Sequence, residues 1–528
     1  MPRPRLLVLA PLRIEAVALG GPGRIGPATV VVSRTGMGLQ RAARRAAELA
    51  GPGARASTAP GLAGAPTPPS TLGAWERPDA VAVAGLGGAL GHDLAPGDIV
   101  VADRLVDAHG DEVAVLASAP LLANELRHAG LRARTGTVVS TDHIVTGDER
   151  ATLAALGAQA VDMESTAIAA APWGAPLAVV RAISDTPGEE LFSPAGLRGV
   201  ARGLSSLRLA RPALANWAAA TGSREVVLAG PRSFCAGVRR AIETVETALE
   251  RYGAPVYVRR QIVHNAHVVG RLEAAGAVFV EELAEVPDGA TVVFSAHGVG
   301  TAVRQEAERR GLAAIDATCP LVTKVHTEAR RFAAAGRQLV LVGHAGHDEV
   351  EGTLGTVGEA VLVSTAADVA HLDLDPARPT AVVTQTTLAT DEVSSVVAAL
   401  AERFIDLAEP SSSDICYASQ NRQEAVREIA PQCDVVLVVG SANSSNSNRL
   451  VEVAQRSGAH AYLVDGKDEL RLSWLTGATR VGVTAGASAP DELVHEIVEC
   501  LAGLGPVSVS ERSAATEHVS FPLPMEVR

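Results

Sequence analysis

Three cysteines in the second half of the chain share one local pattern. Cys235, Cys319 and Cys416 each follow a short apolar run and precede a segment with helical periodicity. The pattern predicts a thiol at a strand end and at a helix N-terminus, where the helix dipole favours the thiolate and lowers the pKa. Pro320, directly after Cys319, suits the first helical position. Three thiolates can hold a metal cluster and leave one metal open to a substrate.

The spacings between these cysteines are 84 and 97 residues, which match no zinc-finger or Cys-x-x-Cys motif. The cysteine positions alone leave two interpretations open. Either three equivalent units each supply one ligand to a shared cluster, or three unrelated cysteines are buried in an alanine-rich core. Cys433 and Cys500 lie beside or within apolar segments and are predicted to be core thiols.

Polar clusters follow the other apolar runs of the second half. Each run has four to six residues, which suits a parallel strand buried on both faces. The clusters therefore lie past the carboxyl ends of strands, the edge at which open α/β sheets bind ligands. Imidazole, hydroxyl and carboxamide groups near helix starts can bind a phosphate or diphosphate. The candidates are His264, Asn265, His297, His344, His347, Gln385, Thr386, Thr387, Ser444, Ser445, Asn446 and Ser488.

Glu349 is the carboxylate framed by His and Gly in GHAGHDEVEG, and it is predicted to donate or relay protons. Its neighbours Asp348 and Glu351 are expected to cap or solvate the following helix. The sequence contains no GxxxxGK[ST] loop and no acidic pair for magnesium, which argues against nucleotide hydrolysis.

A chain of 528 residues is too long for one ordinary core. Hydrophobic residues make up 47% of it but aromatic residues only 3%, a balance typical of α/β proteins. We expect an α/β domain at residues 1–210, a linker at 211–223, a second α/β domain at 224–510 and a tail at 511–528. The segment 51–79, rich in Ala, Gly, Pro and Ser, is predicted to be a mobile surface loop.

The net charge of −13 argues against nucleic acid or an anionic membrane as a partner. No apolar run approaches the roughly 18 residues of a membrane helix. The N-terminal MPRPRLLVLAPLRIEA is predicted to contain a short buried strand rather than a signal peptide. Five cysteines in so long a chain indicate ligands or core thiols in a reducing compartment, so we expect a cytoplasmic protein.

The cysteine and polar clusters together carry a family resemblance. The strings FCAGVRRAIE, SAHGV, DATCPLVTKVH, GHAGHDEVEGT, TQTTL, DICYASQNRQ, GSANSSNSNRL and TAGASAPD closely resemble the 4-hydroxy-3-methylbut-2-enyl diphosphate reductase family of the methylerythritol phosphate route to isoprenoids. The resemblance spans residues 224–508. It implies three α/β units in a pseudo-threefold arrangement around one 4Fe–4S cluster per chain, held by Cys235, Cys319 and Cys416 with an open fourth iron.

The same resemblance implies residue roles. Glu349, Thr386 and His347 would act near the substrate's hydroxyl, with Glu349 feeding protons through the substrate or His347. Two electrons from ferredoxin or flavodoxin and two protons would remove the hydroxyl as water, giving isopentenyl and dimethylallyl diphosphates. The diphosphate would be held by His264, His297, His347, Ser444, Ser445, Asn446 and Ser488.

Two other functions remain open for the second half. The thiolates could serve a zinc-dependent hydrolase or lyase, in which case the isolated protein would be colourless. An iron–sulfur redox sensor without turnover is the other, although a sensor would not need the full set of diphosphate-binding side chains.

The first half carries a different set of motifs. TGMG (35–38) precedes a helix, and VAVAGLGGALGHDLAPGDIVVAD predicts a strand, a glycine-rich turn and a second strand. AVDMESTAIAAA places Asp162, Met163 and Glu164 at a helix start, and LAVVRAISD ends a buried strand at Asp185. These segments resemble the nucleoside phosphorylase superfamily, particularly its methylthioadenosine/S-adenosylhomocysteine nucleosidase-like branch.

This second resemblance implies that Met163 and Glu164 contact a sugar, that Asp185 protonates a purine leaving group, and that Glu15 orients water. The chain departs from the family in having Asp162 where Glu is usual and Ser165 where Gly is usual. A non-catalytic scaffold that stabilises or oligomerises the reductase is the alternative.

Overall fold

The computed structural model describes residues 3–50, 77–189 and 191–528, and residues 51–76 of the predicted surface loop lie outside this description. The chain forms two compact units. The first comprises Met1–Glu225, Lys467–Thr479 and Glu496–Ser508, and the second comprises Val226–Gly466, Arg480–His495 and Val509–Arg528. The sequence-based division places residues 467–479 and 496–508 in the second domain, whereas in the structure these two short segments pack with the first unit.

The first unit is built on one large sheet. Its strands in the described ranges are β1 Arg5–Ala10, β2 Gly23–Ile25, β3 Ala28–Arg34, β4 Ala80–Ala89, β5 Ile99–Asp107, β6 Glu112–Val115, β7 Ala133–Ser140, β8 Ala158–Asp162 and β9 Leu177–Asp185. They pair in the order β2-β3-β1-β4-β8-β7-β5-β6, and β9 pairs with both β4 and β5. The predicted short N-terminal strand is β1, and β9 ends at Asp185 as expected.

Helices cover this sheet, and the described ones are α1 Arg13–Ala18, α2 Leu39–Ala50, α3 Ala119–His128, α4 Glu149–Ala154, α5 Ser165–Ala169 and α6 Pro194–Ala220. Helix α6 includes residues 211–220 of the predicted linker, leaving only Thr221–Ser223 before the next strand. It continues through Pro212 because its far end is buried, with Trp217 fully enclosed.

The glycine-rich stretch after residue 84 is not the predicted turn. Gly85, Gly87 and Gly88 lie inside β4, where a Cβ on Gly85 would stand 2.6 Å from the Arg181 guanidinium and 3.0 Å from the Glu15 carboxylate. The glycines therefore give two buried charged side chains the space they occupy.

Three smaller sheets follow residue 224. Their strands are β10 Arg224–Gly230, β11 Val256–Arg259, β12 Ala277–Val280, β13 Thr291–Phe294, β14 Ala313–Asp316, β15 Gln338–Val342, β16 Val361–Val363, β17 Thr380–Thr384, β18 Leu407–Ala408, β19 Val435–Val439, β20 His460–Val464, β21 Arg480–Ala485 and β22 Val507–Ser513. The sheet orders are β20-β19-β21-β10-β22, β12-β11-β13-β14 and β16-β15-β17-β18. Pairing is parallel between β11 and β13, β15 and β17, and β19 and β21.

The helices of this part are α7 Ala236–Tyr252, α8 Ala266–Ala274, α9 Thr301–Arg309, α10 Pro320–Ala334, α11 Asp348–Leu354, α12 Ala366–Val369, α13 Thr390–Arg403, α14 Tyr417–Ile429, α15 Ser445–Arg456, α16 Leu472–Leu475 and α17 Asp491–Ala502. Short 3-10 turns occur at Leu283–Glu285, Ala430–Gln432, Lys467–Glu469 and Met525–Val527. Among the described helices, none combines the length and apolar character needed to cross a bilayer.

In each of the three sheets, one strand is followed by a short connection that leads to a cysteine at the start of a helix. Cys235 is the N-cap of α7 after β10, Cys319 of α10 after β14, and Cys416 of α14 after β18. The predicted strand–Cys–helix setting is confirmed at all three positions, with Pro320 at the first helical position. The expected pseudo-threefold relation of the three sheets stays a prediction.

Substitution of Gly199 by alanine should destabilise the first unit. Its Cβ would lie 1.9 Å from the Ser184 carbonyl oxygen, so α6 would have to move away from β9. We expect a loss of about 3 kcal/mol, as for an overpacked core, visible as a lower Tm in calorimetry. Gly270→Ala is the control, since that helical position is open and alanine is favoured there by about 1 kcal/mol. Equal Tm values for Gly199→Ala and the unsubstituted chain would contradict this packing.

Candidate functional site

One cavity in the second unit collects the side chains at the strand ends. It is lined by the three cysteines, by Glu349 and by most of the predicted polar candidates, while Asn265, His344 and Gln385 are not part of its lining. The predicted residues that line it are Cys235, His264, His297, Cys319, His347, Glu349, Thr386, Thr387, Cys416, Ser444, Ser445, Asn446 and Ser488. They come from all three sheets, as the carboxyl-edge argument predicts.

The three cysteines line the same part of this cavity. Two of the thiols accept a hydrogen bond from their helix N-terminus: Cys235 Sγ from the Val238 amide at 3.4 Å, and Cys416 Sγ from the Ser419 amide at 3.2 Å. A Cβ on Gly237 would lie 2.6 Å from Cys319 Sγ and 3.8 Å from Cys235 Sγ. The two sulfurs are thus close neighbours, and only glycine leaves them room.

The pKa values of Cys319 and Cys416 shift in the direction opposite to the one expected from the helix dipole. Burial raises the pKa of Cys319 to about 12 and that of Cys416 to about 11, and the neighbouring Cys235 adds to both shifts. Amide hydrogen bonds lower these values but do not offset the loss of water. Thiolates grouped this way need a cation among them, which is what a bound metal centre supplies.

Three imidazoles form a second part of the wall. The rings of His264 and His297 stack with centroids 4.2 Å apart, and His347 meets them edge-on at 5.6 and 5.9 Å. Burial lowers the pKa of His347 to about 4 and takes that of His297 well below its usual range. His347 Nδ1 accepts from the Glu349 amide at 3.1 Å, which leaves Nε2–H free to donate into the cavity. Neutral imidazoles can donate N–H hydrogen bonds to an anion. A bound anion would also favour protonation of these rings.

The third part consists of hydroxyl and amide groups around the start of α15. Ser444 caps this helix, and its Oγ lies 3.4 Å from Ser488 Oγ. Ser445 Oγ accepts from Thr387 Oγ1 at 3.0 Å. Both polar atoms of the Asn446 amide are buried without a hydrogen-bond partner. An unpaired carboxamide beside a helix N-terminus is prepared to bind an anionic ligand.

Glu349 lies at the centre of the cavity wall, on α11. Its Oε1 accepts from the Thr386 amide at 2.6 Å and its Oε2 from Thr386 Oγ1 at 3.0 Å. Burial nevertheless raises the pKa of Glu349 to about 7, because no cation pairs with it among its described contacts. A carboxyl that titrates near neutral pH can both give and receive a proton.

The cavity also contains groups that the sequence did not single out. Tyr417 and Phe521 line it, and the Tyr417 hydroxyl accepts from the Ala236 amide at 3.4 Å. Asp348, expected only to cap a helix, faces the imidazoles and pairs with Arg260. Its position beside His347 in the motif was the available signal.

Phe521 reaches the cavity because the C-terminal segment folds back over the second unit. Glu517 pairs with the fully buried Arg422 at 2.9 Å, and Arg422 also donates to the Ser233 carbonyl. Further along, Arg240 donates to the Pro522 carbonyl and the Tyr252 hydroxyl to that of Glu526. The predicted tail thus contributes Phe521 to the cavity wall.

The first unit has its own cavity, and it brings together the four residues predicted there: Glu15, Met163, Glu164 and Asp185. Met37 of the TGMG segment also lines it, and the Gly38 amide donates to Glu164 at 3.3 Å. Glu15 accepts from the amides of Leu12 and Leu86 at 2.6 and 2.8 Å. Burial raises the pKa of Glu15 and takes that of Glu164 to about 7.

Two buried arginines organise the carboxylates of this cavity. Arg181 contacts Asp162 at 2.6 Å and Glu164 at 3.5 Å. Arg150, which the sequence did not indicate, donates to Asp185, whose other oxygen accepts from Ser184 at 2.5 Å. Both oxygens of Asp185 are therefore hydrogen-bond acceptors here.

Comparison with known protein families finds one match in each half of the chain. Residues 226–502 match the model of the LytB protein family, and residues 20–198 match that of the phosphorylase superfamily.

The similar curated proteins cover the second half. The chain is 57% identical over 307 residues to the 4-hydroxy-3-methylbut-2-enyl diphosphate reductase of Azoarcus sp. (strain BH72), a match covering 58% of this chain and 98% of that protein. It is 57% identical over 314 residues to reductase 2 of Mycobacterium bovis, covering 58% and 95%. Among solved structures, the E-1-hydroxy-2-methyl-but-2-enyl-4-diphosphate reductase of Plasmodium falciparum is 35% identical with a TM-score of 0.56, covering 58% of this chain and 97% of that one.

Proposed function

The chain belongs to the LytB protein family, and from this membership we propose that its second half is a 4-hydroxy-3-methylbut-2-enyl diphosphate reductase. Such an enzyme removes the allylic hydroxyl as water with two electrons and two protons, giving isopentenyl and dimethylallyl diphosphates. The observation that carries the proposal is the single cavity in which three thiols, three imidazoles, the Ser/Asn wall and Glu349 meet.

Cys235, Cys319 and Cys416 would hold a 4Fe–4S cluster. Their fit to it rests on the donor set: three neighbouring thiols at helix N-termini, with space preserved by Gly237 and pKa values that burial raises until a cation compensates. When bound, the cluster would supply electrons and, at its fourth iron, a Lewis-acid contact for the hydroxyl.

The diphosphate would bind where neutral donors surround an anion. His264, His297 and His347 form one side, and Ser444, Ser445, Asn446 and Ser488 the other. The unpaired Asn446 amide supports this assignment, as does the start of α15, whose amides face the same wall. This placement leaves the substrate's hydroxyl end toward Thr386 and the cysteines.

Glu349 would supply protons at that end. Thr386 holds its carboxyl through both oxygens, so the group is fixed while its proton is exchanged. His347 is linked to Glu349 through the backbone amide and presents Nε2–H to the cavity, which places a second donor between Glu349 and the diphosphate. Burial of both groups excludes water and strengthens each electrostatic contact.

The electrons would come from a ferredoxin or flavodoxin. All five cysteines are unbridged, which is consistent with the reducing cytoplasm in which such carriers operate.

For the first unit we propose cleavage of a nucleoside at the bond between base and sugar. The specific support is the enclosed cavity with Glu164 and Met163 at one side and Glu15 at another, in a region that matches the phosphorylase superfamily. Glu164 and Met163 would contact the ribose and Glu15 a water molecule. Asp185, which Arg150 contacts, would protonate the purine leaving group.

Anaerobic isolation should yield a brown, iron-containing protein, and two substitutions should reduce its iron content. Cys319→Ser removes a ligand, and Gly237→Ala would push a methyl group against Cys319 Sγ. Cys500→Ala is the control, because this buried thiol does not line the cavity. Iron and labile sulfide per chain are the measurements. A colourless, zinc-loaded protein would instead favour the hydrolase or lyase alternative.

Turnover should fall as the pH rises through about 7, the value to which burial raises the pKa of Glu349, because the carboxyl then loses the proton it donates. Glu349→Gln should lower turnover by about 10²- to 10⁴-fold and abolish this step in the pH profile. Iron content and substrate affinity, measured in parallel, should change little. Undiminished turnover of Glu349→Gln would refute the proton-donor role.

Purified full-length protein should release free base from at least one member of a panel of adenosine-type nucleosides, with or without phosphate. Chromatographic detection of adenine is the measurement. Glu164→Gln should abolish release, since its carboxylate is assigned to the ribose, while Glu349→Gln, in the other unit, should leave it unchanged. No turnover across the panel would support the scaffold alternative.

A further inference from the structure

Asp348 places a carboxylate beside two imidazoles that line the second unit's cavity. Its Oδ2 lies 3.8 Å from His264 Nε2 and 3.8 Å from His297 Nδ1. Both distances exceed those of hydrogen bonds, so the three groups face one another without bonding directly. The three atoms lie within 4.8 Å of one another, which is the span of ligands that surround a common ion after small side-chain shifts.

Neighbouring groups contact two of these side chains through atoms that do not face the site. The other Asp348 oxygen pairs with Arg260, which fixes the carboxylate. His264 Nδ1 lies 3.4 Å from both Gln261 Oε1 and Asn443 Nδ2, and Nε2 is the nitrogen that faces Asp348. Supporting contacts of this kind orient metal ligands. His297 Nδ1, which faces Asp348, also lies 3.4 Å from Ser295 Oγ.

We propose that His264, His297 and Asp348 form a binding site for a late first-row divalent cation, with Zn²⁺ as the representative ion. Two nitrogens and one oxygen suit Zn²⁺, Co²⁺ or Ni²⁺, whereas Mg²⁺ and Ca²⁺ prefer oxygen ligands alone. Burial lowers the pKa of both imidazoles, so they carry free lone pairs at neutral pH. This site is separate from the three thiols and shares no residue with them.

Charged groups of both signs surround the site. Arg260 repels a cation, but it is shared with Glu351 at 2.7 Å and with Glu282 at 3.8 Å as well as with Asp348. His347, the third imidazole, uses Nδ1 to accept from the Glu349 amide and is not needed as a ligand. Water can complete the coordination shell from the cavity side.

The cation and the diphosphate would exclude each other, and this consequence rests on the proposed function. An imidazole nitrogen that coordinates a cation cannot also donate a hydrogen bond to a phosphate oxygen. Free Zn²⁺ would therefore inhibit the reductase at its diphosphate subsite, independently of any effect on the cluster.

Calorimetric titration of the cluster-loaded protein with Zn²⁺ tests the site without any turnover, because the thiols are already occupied. Asp348→Asn should weaken Zn²⁺ binding at least about 10-fold. Asp348→Pro is the second variant, and it also removes the carboxylate. Proline is tolerated at this position because Asp348 is the first residue of α11 and the preceding His347 has an extended backbone (ψ 134°). Glu351→Gln is the matched control, since Glu351 contacts the same Arg260 without facing the imidazoles. Unchanged affinity in both Asp348 variants would overturn the proposal.

Inhibition of reductase turnover is then measured in a chelator buffer that holds the free Zn²⁺ concentration constant. The buffer prevents metal binding by the substrate from changing that concentration. The ratio of activity with and without Zn²⁺ should be low for the unsubstituted chain and for Glu351→Gln, and close to one for Asp348→Asn. Equal inhibition of all three would refute competition at this subsite. A chain that binds Zn²⁺ through Asp348 but lacks reductase activity would contradict the proposed function alone.

Discussion

The second unit depends on the burial of three thiols next to one another. In each of its sheets, one strand leads through a short connection to a cysteine that caps the following helix, so all three sheets must converge for the thiols to meet. Burial and repulsion from the neighbouring thiols raise the pKa of Cys319 and of Cys416, and backbone amides at the helix starts offset this rise only in part. Gly237 and the returning C-terminal segment shape the remaining space around them.

Burial away from water also shifts the pKa values of the other ionisable groups in this cavity. Glu349 has hydrogen-bond donors but no described cation against it, and so it titrates near neutral pH. The imidazoles are neutral because their charged forms would be buried beside one another. Arg260, the nearest guanidinium, is shared among carboxylates. The wall therefore consists of neutral donors that can accept an anion without a fixed counter-charge.

The first unit handles buried charge differently. Its carboxylates face arginines: Arg181 contacts Asp162 and Glu164, and Arg150 contacts Asp185. Glycines within β4 make the room for Arg181 and Glu15. The result is a cavity in which acidic groups are paired with buried arginines, unlike the cavity of the second unit.

Local order in the sequence determined the strand–Cys–helix pattern, the polar clusters at strand ends and the acidic motif of the first half, because these depend only on neighbouring residues. Most of the second-half candidates could be assigned to one site since carboxyl ends of parallel strands share an edge. The tertiary structure alone decided the thiol pKa direction, the pairing of Asp348 with Arg260, the burial of Arg150 against Asp185 and the return of Phe521 to the cavity. Each of these depends on how far the folded chain excludes water and on which distant segments come into contact. Neither can be deduced from the order of adjacent residues.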